Sequence, residues 1–207
     1  MYSMFNLFNK QTKIEVNPPN QSGQRSKLHN MRVYLAGPMD RCPNGGIGWR
    51  KDITLFLQNL GLQVYNPVDK PIAGSIKDIE SIVERKRRQK FKEDGLYAQF
   101  AKEVKVIRNI DLRMVDVSDF IIVNYDMNIQ MCGTFEELFL ANRQKKPILI
   151  HCPQGKSKVS DWLWACIPHE MFFSNWDELK NYLTKISTGK DSNTHGRWVF
   201  FDNNINS

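Results

Sequence analysis

Three short apolar runs restrict the fold of this chain more than any other feature of its sequence. They read R-V-Y-L-A at 32–36, D-F-I-I-V-N at 119–124 and P-I-L-I-H-C at 147–152, and a further strand is predicted at 62–66. Their apolar character is continuous and does not alternate, which is typical of parallel strands buried on both faces of a sheet. The sequence therefore predicts a central parallel sheet.

Helical patterns separate these runs. Residues 49–60 place apolar side chains on one helical face, and residues 134–143 form the helix after the third strand. Between 75 and 117 the pattern is helical in two pieces that part near Asp94-Gly95. This alternation predicts an α/β fold, a doubly wound (Rossmann- or flavodoxin-like) parallel sheet of about five strands with flanking helices. Ligands of such sheets bind outside the carboxyl ends of the strands.

The length and composition indicate one ordinary domain with two tails. The chain has 207 residues, of which 41% are hydrophobic and 25% charged, and this excludes a collagenous, low-complexity or fully disordered protein. We predict a polar N-terminal tail at 1–30, a domain at 31–186 and a polar C-terminal tail at 187–207. Within the domain, a basic helical insertion occupies about 75–100.

The net charge of +7 is unevenly distributed. Residues 1–32 hold five basic residues and one acidic, and residues 77–108 hold ten basic and six acidic, so each segment carries +4. The remainder has 14 basic and 15 acidic residues, or −1. The basic run R-K-R-R-Q-K-F-K at 85–92 is either a solvated helical face or a weak contact for a nucleotide phosphate or a nucleic-acid backbone.

Several classes of protein are excluded by what the sequence lacks. No apolar run approaches the roughly 18 residues that span a bilayer, and the N-terminus has no export signal. The cysteines lack the spacing of a zinc knuckle and are predicted to be unpaired thiols in a reducing cytoplasm. No set of His, Cys, Asp and Glu has metal-ligand spacing, and no G-x-S-x-G motif occurs. We expect a cytoplasmic protein that uses no metal, no cofactor and no membrane.

Two glutamates begin the helix that follows the third strand. Glu136 fits the role of a carboxylate that stabilises the amino end of a helix. Glu137 lies about 100° further around the helix axis, so it either has the same structural role or points into the crevice at the strand ends. Helix geometry alone leaves both interpretations open.

Two more polar side chains lie within reach of the same crevice. Tyr34 is near the carboxyl end of the first strand, where it is either a core residue or a crevice residue. Asp111 lies on the helix before the third strand and is either an ion-pair partner of Arg108 or Arg113 or a catalytic group.

The loop after the first strand and an aromatic segment are further candidates. The glycine-rich loop at 36–50 can cradle a phosphate or a sugar, with Arg41 and Arg50 as anion-binding residues unless they are surface charges. The segment 161–179 is dense in aromatic residues, which either build the core or stack on a planar ligand such as a nucleobase.

Taken together, four motifs resemble the nucleoside 2-deoxyribosyltransferase-like family. They are V-Y-L-A-G-P at 33–38, N-I-D-L at 109–112, S-D-F-I-I-V at 118–123, and G-T-F-E-E-L-F-L-A followed by K-P-I-L-I at 133–150. The resemblance covers roughly residues 31–152. It implies an enzyme that cleaves the N-glycosidic bond of a 2′-deoxynucleoside and passes the sugar to another base or to water.

The resemblance also implies roles for three residues. Glu137 matches the family's nucleophile, Tyr34 the tyrosine that orients it, and Asp111 the aspartate that handles the proton of the base. The substrate-binding residues are predicted to be Gly37, Pro38, Asp40, Arg41, Arg50, Asn124, Met131, Gly133 and Thr134. The implied partners are a small nucleoside or nucleotide, a free nucleobase and further copies of the chain in a homo-oligomer.

One position departs from the family pattern, and it leaves the substrate open. Met131 stands where the transferases have an aspartate for the sugar 5′-hydroxyl and related nucleotide hydrolases have a phosphate-binding serine. The alternatives are therefore an N-glycosidase of nucleoside 5′-monophosphates, a noncatalytic nucleotide or nucleic-acid binder, and a glycosidase acting on another N-glycoside such as a nicotinamide dinucleotide.

Overall fold

A parallel five-stranded sheet forms the centre of the structure, a computed structural model that describes residues 26–42, 44–72, 79–191 and 195–201. Within these residues the strand order is β2-β1-β3-β4-β5, and every neighbouring pair is parallel. The strands are β1 (Arg32–Ala36), β2 (Gln63–Tyr65), β3 (Phe120–Asn124), β4 (Ile148–His151) and β5 (Phe172–Phe173). The doubly wound α/β prediction is confirmed, and β5 is the strand that sequence patterns did not locate.

Helices cover both faces of the sheet. They are α1 (Ile47–Asn59), α2 (Ile82–Glu93), α3 (Tyr97–Val117), α4 (Cys132–Arg143), α5 (Asp161–Cys166) and α6 (Trp176–Ser187). Helices α3 and α4 contact each other and β1, whereas α6 contacts β4 and β5 and stacks Trp176 on Trp49 of α1. Among the described helices, none is long and apolar enough to cross a membrane.

The central pair of strands fixes the position of the crevice. In β1 and β3, Tyr34 is aligned with Ile121 and Ala36 with Val123, so both strands end at the same edge of the sheet. The chain leaves β1 toward β2 on one side and leaves β3 toward β4 on the other. Where connections diverge in this way, a doubly wound sheet opens a ligand crevice.

Gly37 is the residue that lets the chain leave β1 at this edge. A Cβ atom at this position would lie 2.8 Å from the indole ring of Trp49 and 3.3 Å from the Cβ of Asn124. A distance of 2.8 Å between two non-bonded carbon atoms is strongly repulsive, so a larger residue would displace the tryptophan or the end of β3. The glycine therefore keeps the ends of β1 and β3 close together.

Both predicted tails contain a residue that belongs to the core. Leu28, placed in the N-terminal tail by its polar surroundings, is fully buried. Trp198, placed in the C-terminal tail, is also fully buried, with its ring 5.1 Å from Phe120 and its Nε1 donating to the Tyr182 hydroxyl at 2.7 Å. The average polarity of a segment does not reveal a single large apolar residue of this kind within it. Residues 1–25 and 202–207 lie outside the described part of the chain.

The basic insertion is a helical hairpin. Helix α2 starts after Ser81, whose hydroxyl accepts a hydrogen bond from the Glu84 amide at 3.3 Å, and the chain turns at Gly95 with φ of 72° before α3. The predicted break near Asp94-Gly95 is therefore confirmed. The start of the predicted helical pattern at Ser75 lies outside the described residues.

Candidate active site

A hydrogen bond between β1 and α4 forms the centre of the candidate site. The Tyr34 hydroxyl donates to Glu137 Oε1 at 2.6 Å, although the two residues are 103 positions apart in sequence. Tyr34 is completely buried. The neighbouring Glu136 instead accepts hydrogen bonds from the Arg108 guanidinium on the exposed side of α4. The two glutamates therefore face different surroundings, and Glu137 is the one turned toward the sheet.

Asp111 of α3 lies close enough to this pair to interact electrostatically with both residues. Its carboxylate contacts the ammonium of Lys70, which lies in the loop after β2. Lys70 is completely buried, while the Asp111 side chain keeps 13% exposure. The ion pair expected for Asp111 is thus present, but its partner is Lys70 and not Arg108 or Arg113.

Lys70 was not predicted from the sequence. Ligand binding was predicted at the carboxyl ends of the strands, and a lysine shortly after the strand predicted at 62–66 was the available signal. No sequence pattern places an ammonium group in a buried position next to a carboxylate 41 residues away. The contact exists because β2 and α3 both approach β1.

Burial shifts the protonation of both carboxyl groups upward. The pKa of Glu137 is raised to about 8 by burial and by the charge of Asp111, against the lowering effect of the Tyr34 hydrogen bond. The pKa of Asp111 is raised to about 6 by burial, against the lowering effect of Lys70. The pair therefore carries one proton between about pH 6 and pH 8. A site with one acid and one carboxylate can supply a proton donor and a nucleophile together.

Arg50 holds the loop after β1 instead of facing solvent. It is completely buried, and its guanidinium donates to the carbonyls of Leu35 at 3.3 Å, Gly46 at 2.8 Å and Gly37 at 2.8 Å. Burial lowers its pKa to about 10, so the side chain stays charged at neutral pH. In this structure Arg50 presents its donors to the protein backbone and contributes a positive charge near Glu137.

The other predicted substrate-binding residues differ in their exposure to solvent. Three of them are buried near the carboxyl edge of the sheet, namely Gly37, Pro38 and Thr134. Three others are exposed, namely Asp40, Arg41 and Gly133.

The last two of these residues are Asn124 and Met131. Asn124 is the last residue of β3, and its Oδ1 lies 2.8 Å from His151 Nδ1 at the end of β4. Met131 is buried and lines a cleft of about 450 Å³ together with Tyr125 and Phe135. This cleft is not lined by Glu137, Tyr34 or Asp111.

A stack of three flat side chains stands at the same edge of the sheet. The His151 ring lies 4.0 Å from the Trp176 ring, which in turn lies 5.5 Å from the ring of Trp49. Burial lowers the pKa of His151 to about 4, so the imidazole is neutral at physiological pH. The sequence analysis named the aromatic segment that contains Trp176 but missed His151, whose position at a strand end was the only signal.

The basic run at 85–92 is largely ion-paired within the protein. Arg87 donates to Glu84 and Glu103, Lys90 pairs with Asp94, and both Arg85 and Arg88 pair with Glu80. Four of its six cations thus have an acidic partner on the described residues. Pairing of this kind leaves little free charge for a nucleic-acid backbone.

Among the described residues, no group of three or more His, Cys, Asp or Glu side chains could hold a metal ion. The four cysteines are unpaired, as predicted. The ionisable groups at this edge of the sheet include two carboxyl groups, a phenol and the nearby cations Lys70 and Arg50.

Comparisons with known proteins support the fold. No family model and no curated protein matches the sequence. Among solved structures, the chain is similar to a 2-deoxyribosyltransferase from the psychrotolerant bacterium Bacillus psychrosaccharolyticus, with a TM-score of 0.52 and 17% identity over 73% of this chain and 91% of that one. It also matches a 2-deoxyribosyltransferase from Leishmania mexicana, with a TM-score of 0.43 and 17% identity over 74% of this chain and 97% of that one. The first of these likenesses confirms the fold that the resemblance implied.

Proposed function

We propose that this protein is a nucleoside 2-deoxyribosyltransferase-like enzyme that cleaves the N-glycosidic bond of a 2′-deoxynucleoside, with Glu137 as nucleophile. The observation that carries the proposal is the 2.6 Å hydrogen bond from Tyr34 to Glu137, with Asp111 beside it, at the carboxyl edge of the sheet. The fold shared with a 2-deoxyribosyltransferase supports it.

The first half of the reaction uses the single proton that the two carboxyl groups share. Glu137 has the higher pKa and holds this proton at neutral pH, so the reaction starts when the proton moves to Asp111. The ionised Glu137 then attacks C1′ of the sugar through an oxocarbenium-like transition state, and the bond from C1′ to the base nitrogen breaks. Asp111 gives its proton to the departing base, which leaves neutral. The product is an ester between Glu137 and the deoxyribosyl group, as in retaining glycosidases.

The second half reverses these roles. A second nucleobase, or water, attacks C1′ of the ester, and Asp111 takes the proton that this nucleophile loses. Glu137 leaves as a carboxylate that accepts the Tyr34 hydrogen bond. Asp111 must therefore both give and take a proton near neutral pH, which requires a pKa close to the working pH.

A nucleoside 5′-monophosphate is a second candidate substrate, and one observation favours it. Arg85 of α2 donates to the carbonyl of Met39 in the loop after β1 at 3.2 Å, and its buried Nη2 has no hydrogen-bond partner on the described residues. A phosphate on the sugar would offer such a partner. Comparing turnover of each deoxynucleoside with that of its 5′-monophosphate separates the two substrates.

The function is tested by incubating the purified protein with each deoxynucleoside and deoxynucleotide, with and without a free acceptor base. Release or exchange of the base is followed by chromatography. We expect release from at least one substrate, and loss of that release in Glu137→Gln. Glu136→Gln is the matched control, because it changes the adjacent carboxylate on the exposed face of the same helix. Folded protein that releases no base from any substrate would contradict the proposal.

The homo-oligomer implied by the resemblance stays a prediction. Light scattering on the purified protein measures its mass directly, and a monomer at enzyme-like concentrations would count against a site completed by a second copy.

A further inference from the structure

A buried lysine joins the candidate site to the basic insertion. Lys70 is completely buried in the loop after β2, and its ammonium contacts Asp111 on one side and lies 3.6 Å from Glu80 Oε1 on the other. Its backbone is in the left-handed region, with φ of 40°. A non-glycine residue pays a steric cost there, so the surrounding structure must hold it in place.

Glu80 lies near the start of the insertion and is held in place by two arginines of α2. Its second oxygen lies 3.2 Å from Arg85 Nε and 3.3 Å from Arg88 Nη2, both on α2, and Arg88 is also buried and donates to the carbonyl of Ile79. A continuous set of ion pairs therefore runs from α2 through Glu80 and Lys70 to Asp111. Burying this many charges is costly unless each has a partner, and here each has one.

We propose that Lys70 is a positioning residue that sets the proton affinity of Asp111, and that the insertion, through Glu80, keeps its ammonium in contact with that carboxylate. This inference rests on the proposed function, because it assigns a role within the same reaction. It also gives the insertion a role in the protein interior that does not require a nucleic-acid partner.

The charges around Asp111 show why one cation has so much influence. Five ionisable groups, each from a different part of the fold, face Asp111. They are Lys70 in the loop after β2, Glu80 two residues before α2, Arg50 of α1, Glu137 of α4 and Tyr34 of β1. Burial and the charge of Glu80 both favour the protonated form of Asp111. Lys70 is the cation in direct contact with Asp111, and it favours the ionised carboxylate. Arg50 is not in such contact, because its guanidinium donates its hydrogen bonds to backbone carbonyls.

The removal of Lys70 therefore has a defined consequence for the reaction. Asp111 would hold its proton to higher pH, and the pair of carboxyl groups would carry two protons where it now carries one. With both carboxyl groups protonated, neither is left as a carboxylate that could attack C1′, and Asp111 would be unable to accept a proton in the second half. Activity lost in this way returns when the pH is raised, whereas activity lost through misfolding does not.

The test compares Lys70→Met with Arg87→Met in the full chain. Both variants replace one cation by the same unbranched apolar side chain, but Arg87 pairs with Glu84 and Glu103 on the exposed surface and takes no part in the ion pairs at the site. The measurements are kcat/KM between pH 5 and pH 10 (roughly the range in which carboxyl pKa values of such sites fall) and base release in both directions of exchange.

We expect the acidic limb of kcat/KM to move upward by about 1 to 3 pH units in Lys70→Met, as for loss of an adjacent opposite charge. At neutral pH this corresponds to a loss of roughly tenfold per pH unit, with recovery under alkaline conditions. In Arg87→Met, the acidic limb of kcat/KM should lie at the same pH as in the wild-type protein. An unchanged limb in folded Lys70→Met, or a loss that no pH restores, would overturn the inference.

A second measurement does not depend on turnover. The carboxyl carbon of Asp111 is titrated by NMR in the wild-type protein and assigned by its disappearance in Asp111→Asn. We expect a midpoint near 6 in the wild-type protein, and a higher one in Lys70→Met. A wild-type midpoint above about 7, the range of a buried carboxyl without a cation, overturns the inference. If the wild-type protein releases no base but the midpoints differ as expected, the proposed function fails and the Lys70–Asp111 coupling survives.

Discussion

The basic insertion and the candidate site handle charge in opposite ways. On the exposed face of α2, Arg87 pairs with Glu84 and Glu103 at the surface of the hairpin. The site at the carboxyl edge of the sheet holds few ionisable groups, and burial shifts the pKa of Glu137 to about 8 and that of Asp111 to about 6. Density of charge along the chain is therefore a poor guide to reactivity, whereas burial of charge is a good one.

The largest expected difference between the two regions is in catalysis. Glu137→Gln should lower kcat/KM by roughly a thousandfold or more, since an amide cannot form the glycosyl ester. Glu136→Gln, on the exposed face, should change it by less than about threefold, because exposed ion pairs contribute little. The measurement is base release at saturating and limiting substrate. Equal losses in both variants would abolish the distinction between buried and exposed carboxylates.

Tyr34→Phe should have the next largest effect. The hydroxyl donates to Glu137 at 2.6 Å and favours the ionised carboxylate, so its loss raises the pKa of Glu137 further. A hydrogen bond to a charged group contributes about 1.5–3 kcal/mol, which corresponds to a fall of roughly 10- to 100-fold in kcat/KM at pH 7. A fall that disappears at high pH indicates an effect on ionisation alone; one that persists at every pH indicates loss of orientation as well. An unchanged rate at pH 7 would show that the bond is only structural.

Substitution of Glu137 should raise the free energy of unfolding even though it lowers activity. Because the folded-state pKa of Glu137 is raised from 4.5 to about 8, folding becomes less favourable as pH rises through this interval, and the full penalty is present above pH 8. Glu137→Gln removes that penalty while keeping an acceptor for Tyr34. We expect it to raise the free energy of unfolding by about 2 kcal/mol or more at pH 8 and to have little effect near pH 4. Urea unfolding at the two pH values measures this, and a variant less stable at pH 8 would contradict the burial argument.

The smallest effect is expected from the exposed part of the insertion. Arg87→Ala breaks two exposed ion pairs on the hairpin, so it should change stability only slightly and turnover of free nucleosides by less than about twofold. Binding of a short nucleic acid, measured by fluorescence anisotropy over a range of salt concentrations, should be weak in both proteins. Tight, steeply salt-dependent binding that Arg87→Ala weakens would instead identify the insertion as a nucleic-acid contact.

Local patterns predicted most of the secondary structure. Continuous apolar runs located β1, β3 and β4, because both faces of these strands are covered and every side chain must be apolar. They did not locate β5, since a strand of two residues has no period to detect. The buried Leu28 and Trp198 were assigned to tails for a related reason, because one large apolar residue does not change the average of a polar segment.

The candidate site was predicted only in part. Glu137 and Tyr34 were named, and the structure brings them into contact. Arg50 was named as an anion-binding residue, but in this structure it is buried and bound to backbone carbonyls, since a sequence does not say which side of a loop an arginine occupies. Lys70 and His151 were missed, because both become part of this edge only when separate strands align.

The sequence by itself determined the order of strands and helices along the chain, the edge of the sheet at which the candidate site lies, and the residue types available there. Those properties depend on neighbours within a few positions, where the period of apolar residues controls local structure. The tertiary structure decided which charges are buried and which acid stands beside which base. Tyr34 and Glu137 are 103 residues apart and Lys70 and Asp111 are 41 apart, so their contacts come from the crossing of elements and not from spacing along the chain. Proton affinity follows from those contacts and from exclusion of water, and neither can be derived from a linear sequence.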